Sequence, residues 1–358
     1  MLDWLLVFYN LQYLRFFAAG MVVLHHQIGM SAQYWPQLDG YQFLTGAAGV
    51  DIFFVISGFI MVFISEKRES SPLGFFQNRV TRVAPPYLAV TIIFGAALLL
   101  FPSLFHVSSF SLPHFLSSIL FFPYRNPYDH EITPLYAPGW TLNYEFFFYS
   151  IFALAMAFNH KKRVLIVSLI FGFLVLVGFI FPTDVSAINF YTNTIVLEFV
   201  LGMAIGVATF SGVRLSAPQA GALLIIALVG FAFASLHTPV RTSDWRVFVW
   251  GLPAAALVAG AIHFEFAGKS RPVVWLKTLG DASYAIYITH FMLVGPFLQI
   301  FKLIGFNFSI IQMGNCFTLC IASGLLFHFW FEKGNNFLKQ NKLFVGKELK
   351  FVRLSEMQ

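Results

Sequence analysis

The chain has 358 residues, 58% of them hydrophobic and only 11% charged, with 46 phenylalanines and a formal net charge of +6. So much apolar surface with so few charges excludes a soluble globular domain of this length. Repeated apolar runs of about 18 to 24 residues, each long enough to cross ~30 Å of hydrocarbon, predict an all-α polytopic membrane protein.

In chain order, ten transmembrane helices are expected, near 6–29, 42–65, 83–101, 140–159, 164–181, 189–210, 219–236, 247–264, 280–301 and 308–330. The N-terminus lacks a basic region, a short apolar core and a small-residue cleavage site, so the first span is expected to be retained. Linkers such as "SSPLG", "FPTD" and "SAPQ" carry turn-forming residues. Residues 102–139 form the one long connection, and within it "SLPHFLSSILFF" fits a short re-entrant or interfacial helix. Residues 1–330 thus read as one transmembrane domain and 331–358 as a basic tail, with no internal repeat and no second soluble domain. The tail stretch "FLKQNKLFVGKELKFVRL" alternates bulky apolar and basic residues, which suits an anionic inner leaflet. Cys316 and Cys320 share one helical face but are poorly oriented for a disulfide, and with no matching histidine pair they make no zinc pattern. They read as packing residues, and no metal site is expected.

Loop charges set the orientation. With the N-terminus in the cytoplasm, cytoplasmic segments hold seventeen of the 22 lysines and arginines and the opposite side holds four, namely Arg125, Arg241, Arg246 and Lys302. Arg15 lies inside the membrane. This asymmetry places both termini in the cytoplasm and accounts for the basic composition without a nucleic-acid partner.

Ionisable side chains at bilayer depth cost several kcal/mol and mark candidate functional positions. The set is Arg15, His25 and His26 in the first span, Asp51 in the second, Glu145 in the fourth, Glu198 in the sixth and His290 in the ninth, with His328 near the end of the tenth. Arg15 and His26 are eleven residues apart, about 20° off a common azimuth after three turns, and roughly 16 Å apart along the axis. His25 points about 100° away, so His26 is the histidine aligned with Arg15. The orientation puts His26, Asp51 and Glu145 in the outer half of the membrane and Arg15 deeper. A histidine beside carboxylates suits general acid–base chemistry. The plainer reading is that these groups tie helices together through buried hydrogen bonds. "GWTLNYEFFFY" opens the fourth span with Trp140, which fits an interfacial anchor, followed by Asn143 and Glu145. In "SYAIYITH", Ser283, Tyr284, Tyr287 and His290 form a stripe that fits aromatic packing or a site equally well. Arg79 and Arg82, one turn apart in "FFQNRVTRVAPPY", read as positive-inside charge and also suit a phosphate-rich ligand.

Six stretches in order, "LRFFAAGMVVLHH", "GVDIFFVISGF", "FFQNRVTRVAPPY", "GWTLNYEFFFY", "EFVLGM" and "LGDASYAIYITH", resemble the integral-membrane acyltransferase-3 family, which includes O-antigen and exopolysaccharide O-acetylases. The tail "FWFEKGNNFL" is a looser match. The resemblance implies a ten-helix core that moves an acyl group, usually acetyl, from cytoplasmic acyl-CoA to a hydroxyl, commonly on a sugar, at the outer face. That is a location in the bacterial cytoplasmic membrane, with acetyl-CoA as co-substrate and a carbohydrate or glycolipid as acceptor. The family's arginine and histidine fall on Arg15 and His26, its aspartate on Asp51 and its glutamate on Glu145. The arginines thought to meet CoA fall on Arg79 and Arg82. Asn143, Glu198, Tyr284 and His290 are further candidates. The sequence departs from the pattern at Gln12, where many members carry aspartate, and no appended hydrolase-like domain is expected.

In the mechanism this implies, His26 is the general base, or a transient acyl carrier. Asp51 or Glu145 orients it, Arg15 steadies the thioester or developing negative charge, and Arg79 and Arg82 hold the CoA phosphates. The alternative is a proton-coupled transporter or flippase with a relay through the same residues. Oligomeric state is not indicated.

Overall fold

A computed structural model describes residues 8–67, 71–102, 109–237 and 245–331. The predicted basic tail and Arg241 lie outside the described residues. Thirteen helices follow in order: α1 (Tyr9–Ser31), α2 (Gly49–Lys67), α3 (Pro72–Leu100), α4 (Leu112–Ile119), α5 (Trp140–Ala155), α6 (His160–Ile180), α7 (Ser186–Tyr191), α8 (Leu197–Phe210), α9 (Ala217–His237), α10 (Leu252–Phe266), α11 (Val274–Asp281), α12 (Ser283–Leu303) and α13 (Ile310–Phe331). The only β pairing among the described residues is an isolated bridge between Arg125 and Ile132. The chain is an all-α polytopic membrane protein.

Each of the ten expected spans overlaps a helix among the described residues, although the sixth, 189–210, is divided between α7, a 3-10 turn at Thr194–Val196 and α8. Among the described residues, seven helical segments, Leu44–Glu66, Pro72–Leu100, His160–Ile180, Ala217–Leu236, Val247–Phe266, Ser283–Leu303 and Ile310–Phe331, are long and apolar enough to cross a membrane by length and composition. The short helix expected in the long connection is α4. It is pinned at His114, whose ring meets the Thr133 carbonyl at 2.7 Å, and at Ser118, whose hydroxyl accepts from the Leu135 amide.

The third span starts earlier than expected. The residues read as a linker, "SSPLG", are a helix start: the Ser71 hydroxyl accepts from the Gly74 amide at 3.1 Å, and Pro72 occupies the first helical position. A side-chain cap followed by a proline is a favoured helix N-terminus. Helix α3 then runs through Pro85 and Pro86 without ending, so Arg79 and Arg82 lie on a helix and not in a loop.

The apolar helices range from largely outward-facing to enclosed. α6 and α9 present Leu165, Leu169, Phe173 and Ile225, Leu228, Phe233 outward, as an apolar solvent requires. α2 is the most enclosed of the apolar helices and lies against α1, α8 and α10. Its contact with α8 is unusually close. A Cβ on Gly58 would sit 2.1 Å from the Phe199 carbonyl oxygen, and one on Gly202 would sit 2.0 Å from that of Val55. Small residues at such crossings let backbones approach within a membrane. Asp51 stands about two turns before Gly58 and Glu198 one turn before Gly202, and the close packing of the two helices brings these acidic residues together.

Candidate active site

Part of the intramembrane polar set lines cavities, with arginines and Glu145 in one and histidines and Arg246 in others, while Asp51, Asn143, Glu198 and His290 are buried beside them. The first cavity, of about 120 Å³, is lined by Arg15, Arg79, Arg82, Glu145, Tyr149 and Tyr284 among others. Gln12 accepts a hydrogen bond from Arg15 Nη1 at 3.1 Å, so a neutral amide holds the arginine where many family members place an acid. The Tyr284 hydroxyl donates to the Val83 carbonyl at 2.6 Å and ties α12 to the proline segment of α3. Glu145 faces Arg82, Arg15 and Arg79, giving this chamber three cations and one carboxylate.

The second cavity, of about 620 Å³, is lined by His25, His26, Trp140, Tyr144, Asn189 and Arg246 among others. His25 is committed structurally, since its Nδ1 lies 2.8 Å from the Phe43 carbonyl oxygen and so donates to it. The His26 ring packs against His25 at 5.1 Å, His290 at 5.2 Å and Phe291 at 5.1 Å between centroids. His290 is fully buried; its Nδ1 donates to the Tyr287 carbonyl at 2.5 Å, and its Nε2 has no hydrogen-bond partner among the described residues. A third cavity of about 330 Å³ shares His25, His26, Ala47 and Arg246 with the second.

The grouping expected from sequence is therefore redrawn. His26, Asp51 and Glu145 do not converge, and His26 makes no hydrogen bond to either carboxylate among the described residues. Glu145 is five residues beyond Trp140, about 7.5 Å further along α5 and 140° around it, which carries it into the arginine chamber. Asp51 is fully buried and engaged by Arg246. Arg246 Nε donates to Oδ1 at 3.0 Å and Nη2 to Oδ2 at 2.7 Å, and the guanidinium lies over Trp250 at 4.7 Å and near Trp140 at 5.9 Å. Glu198, also fully buried, adjoins this pair and faces both Asp51 and Arg246. Asn143 is buried outside the cavity linings, with its amide oxygen unpartnered among the described residues.

Arg246 is the residue the sequence reading passed over, counting it as an outer loop charge. A signal was present in the sequence, since Arg246 directly abuts the apolar run that begins at Val247; in the structure a π-helical turn, Val247–Gly251, leads into α10, a feature frequent at functional sites. Trp140, read as an interfacial anchor, is part of the same cluster.

Val50 and Tyr287 line both the arginine cavity and the first histidine cavity and form the partition between them. Tyr287 is fixed there by donating its hydroxyl proton to the Pro138 carbonyl at 2.8 Å, with Thr141 Oγ1 at 3.2 Å. No group of three or more metal-ligating side chains occurs among the described residues.

A membrane-embedded helical fold here sets an arginine chamber beside a histidine chamber, an arrangement that suits a group-transfer enzyme. Residues 8–331 match the family described as the acyltransferase domain. The chain belongs to this integral-membrane acyltransferase-3 family and is an acyltransferase. It is 38% identical over 253 residues to the exopolysaccharide production protein ExoZ of Rhizobium meliloti (strain 1021), covering 70% of this chain and 77% of that protein. It is 26% identical over 313 residues to the acyltransferase MdmB of Streptomyces mycarofaciens, covering 78% of this chain and 77% of that one. No solved structure matches the chain. Group transfer, and not the transport alternative, is thus the class of activity.

Proposed function

We propose that the protein transfers an acetyl group from a coenzyme A thioester, bound from the cytoplasm, to a hydroxyl of a glycan or glycolipid at the outer face of the bacterial cytoplasmic membrane. The observation that carries this reading is the pair of chambers: cations converge in one, an imidazole opens into the other, and one tyrosine divides them. The relative named for exopolysaccharide production supports a glycan acceptor.

In this reading Arg79 and Arg82 hold the donor's phosphates through charge-assisted hydrogen bonds, and Arg15 steadies the arm that enters the protein. His26 takes the proton of the acceptor hydroxyl as its oxygen attacks the thioester carbonyl. The carbon–sulfur bond breaks, and the departing thiolate receives a proton to leave as free CoA. His290, fixed through Nδ1, supports the His26 ring from α12. Helix packing around the chambers limits water, which competes as a nucleophile for the thioester.

The test is thiol release from acetyl-CoA by the full chain in vesicles supplied with glycan extracts. His26→Ala should lower acceptor-dependent release by at least ~100-fold, the range for a lost general base. His25→Ala should retain it. Equal loss in both variants, or none in either, refutes the assignment of His26.

A further inference from the structure

The two cavities on the histidine side are not independent. Both are lined by His25, His26, Ala47 and Arg246, so His26 stands at the junction of two lobes. One lobe, about 620 Å³, extends toward Trp140, Tyr144, Asn189 and Asn193. The other, about 330 Å³, extends toward Asp39, Tyr41, Gln42 and Trp250. Each alone is within the range of a small-molecule site, about 300–1,000 Å³.

The lobes are lined alike although they come from unrelated parts of the chain. Each joins aromatic rings to amide or carboxylate side chains. A sugar ring calls for that combination: a flat apolar face to lie on an aromatic, and hydroxyls that both donate and accept. In the smaller lobe, Trp250 is 2% exposed and its indole N–H has no hydrogen-bond partner among the described residues. A buried donor left unpaired is costly, and an acceptor oxygen in that lobe would pair it.

Resting on the glycan-acceptor reading above, we infer that the acceptor is an extended oligosaccharide, bound with sugar residues in both lobes so that the residue receiving the acyl group lies between its neighbours at His26. The junction position of the histidine is what separates this from a pocket for a single sugar. A base at the end of one closed cavity would acylate a terminal residue, whereas a base between two lobes acylates an internal one.

The experiment uses the full chain in vesicles with acetyl-CoA and oligosaccharides of one to eight residues, prepared by partial hydrolysis of the host's own polysaccharide. Catalytic efficiency should rise at least about tenfold from one residue to three or four, the equivalent of one or two further polar or stacking contacts, and then level off. Mass-spectrometric fragmentation should place the acyl group on an internal residue. Gln42→Ala and Asn189→Ala should each lower efficiency on long acceptors more than on single residues. Efficiency independent of length, or acylation confined to a terminal residue, overturns the inference.

A second readout needs no donor. Cysteines introduced separately as Gln42→Cys and Asn189→Cys, with the native Cys316 and Cys320 buried, are challenged with a membrane-impermeant thiol reagent. One long oligosaccharide should shield both positions. Shielding of one position alone at every length overturns the two-lobe site, even if donor chemistry fails. Absence of thiol release with any acceptor, alongside shielding of both positions, would instead refute the acyl-CoA reading and leave the two-lobe site standing.

Discussion

Replacing Arg246 by methionine should destabilise the protein severely, because of what it leaves behind. The arginine makes a two-point contact with Asp51, at 3.0 and 2.7 Å, with side chains 11% and 0% exposed. Methionine keeps much of the contact with Trp250 but abandons a fully buried carboxylate next to a second one, Glu198. Breaking a buried pair from one side costs about 3–5 kcal/mol, roughly 150- to 5,000-fold in the ratio of folded to unfolded protein. Removing both charges, as Arg246→Met with Asp51→Leu, should recover most of that loss, since a buried ion pair replaced by apolar groups is often neutral. The assay is unfolding in mixed micelles titrated with sodium dodecyl sulfate, followed by tryptophan fluorescence, to which Trp140 and Trp250 contribute beside the substituted residue. A single variant within about 1 kcal/mol of wild type, or a double variant no more stable than the single, refutes the reasoning.

The other predictions address packing, donor binding and the partition. Gly58→Ala or Gly202→Ala places a methyl about 2 Å from a backbone carbonyl of the facing helix. Each should cost about 1–3 kcal/mol as overpacking, read in the same titration, and an unchanged midpoint would contradict the close crossing. Arg79→Ala and Arg82→Ala should each raise KM for acetyl-CoA by about tenfold or more, as for a lost charge-assisted contact of about 1.5–3 kcal/mol, while kcat changes little. A fall in kcat at unchanged KM would move these arginines to the chemistry. Tyr287→Ala should join the two chambers and raise acceptor-free thiol release several-fold, whereas Tyr287→Phe, which keeps the ring and loses only the anchoring hydroxyl, should raise it much less. Equal hydrolysis in both would remove Tyr287 as the partition.

Much of the fold was legible because the length of an apolar run reports directly on its capacity to cross a membrane. The alignment of His26, and not His25, with Arg15 was legible too, since both residues lie on one helix and its pitch alone sets their phase. What sequence could not supply was azimuth between helices. The depth argument placed Glu145 beside His26, but the direction a side chain takes from α5 depends on how that helix is rotated. That rotation is set by contacts such as Gly139 against the ring of Tyr87, where a Cβ would meet a carbon at 2.2 Å. Arg246 was missed for a different reason. Counting loop charges assigns every cation a side of the membrane, and it does not ask whether a cation at a helix start turns inward. The early start of α3 was written in the sequence as a serine before a proline, and reading that stretch only as a breaker concealed it.

The geometry of α1 also restricts how the two chambers can cooperate. Arg15 and His26 share a face but lie roughly 16 Å apart along the axis, while reacting groups must come within about 3–3.5 Å. Helical side chains tilt toward the N-terminus, so His26 leans toward the partition and Arg15 leans away from it. On the proposed mechanism the two residues would serve different parts of an elongated donor, and charge developing at a thioester beside His26 would be met by groups at its own level. Arg246, which reaches both lobes beside His26, is a cation at that level, and its charge is already balanced by Asp51. An arginine held by two bonds to Asp51 is fixed in direction before any substrate arrives, and on the proposed mechanism such a fixed cation would not need to reorganise as the reaction proceeds. The buried ion pair is thus costly as a stabilising element and well suited to preorganisation, which accounts for its place at the junction of the lobes.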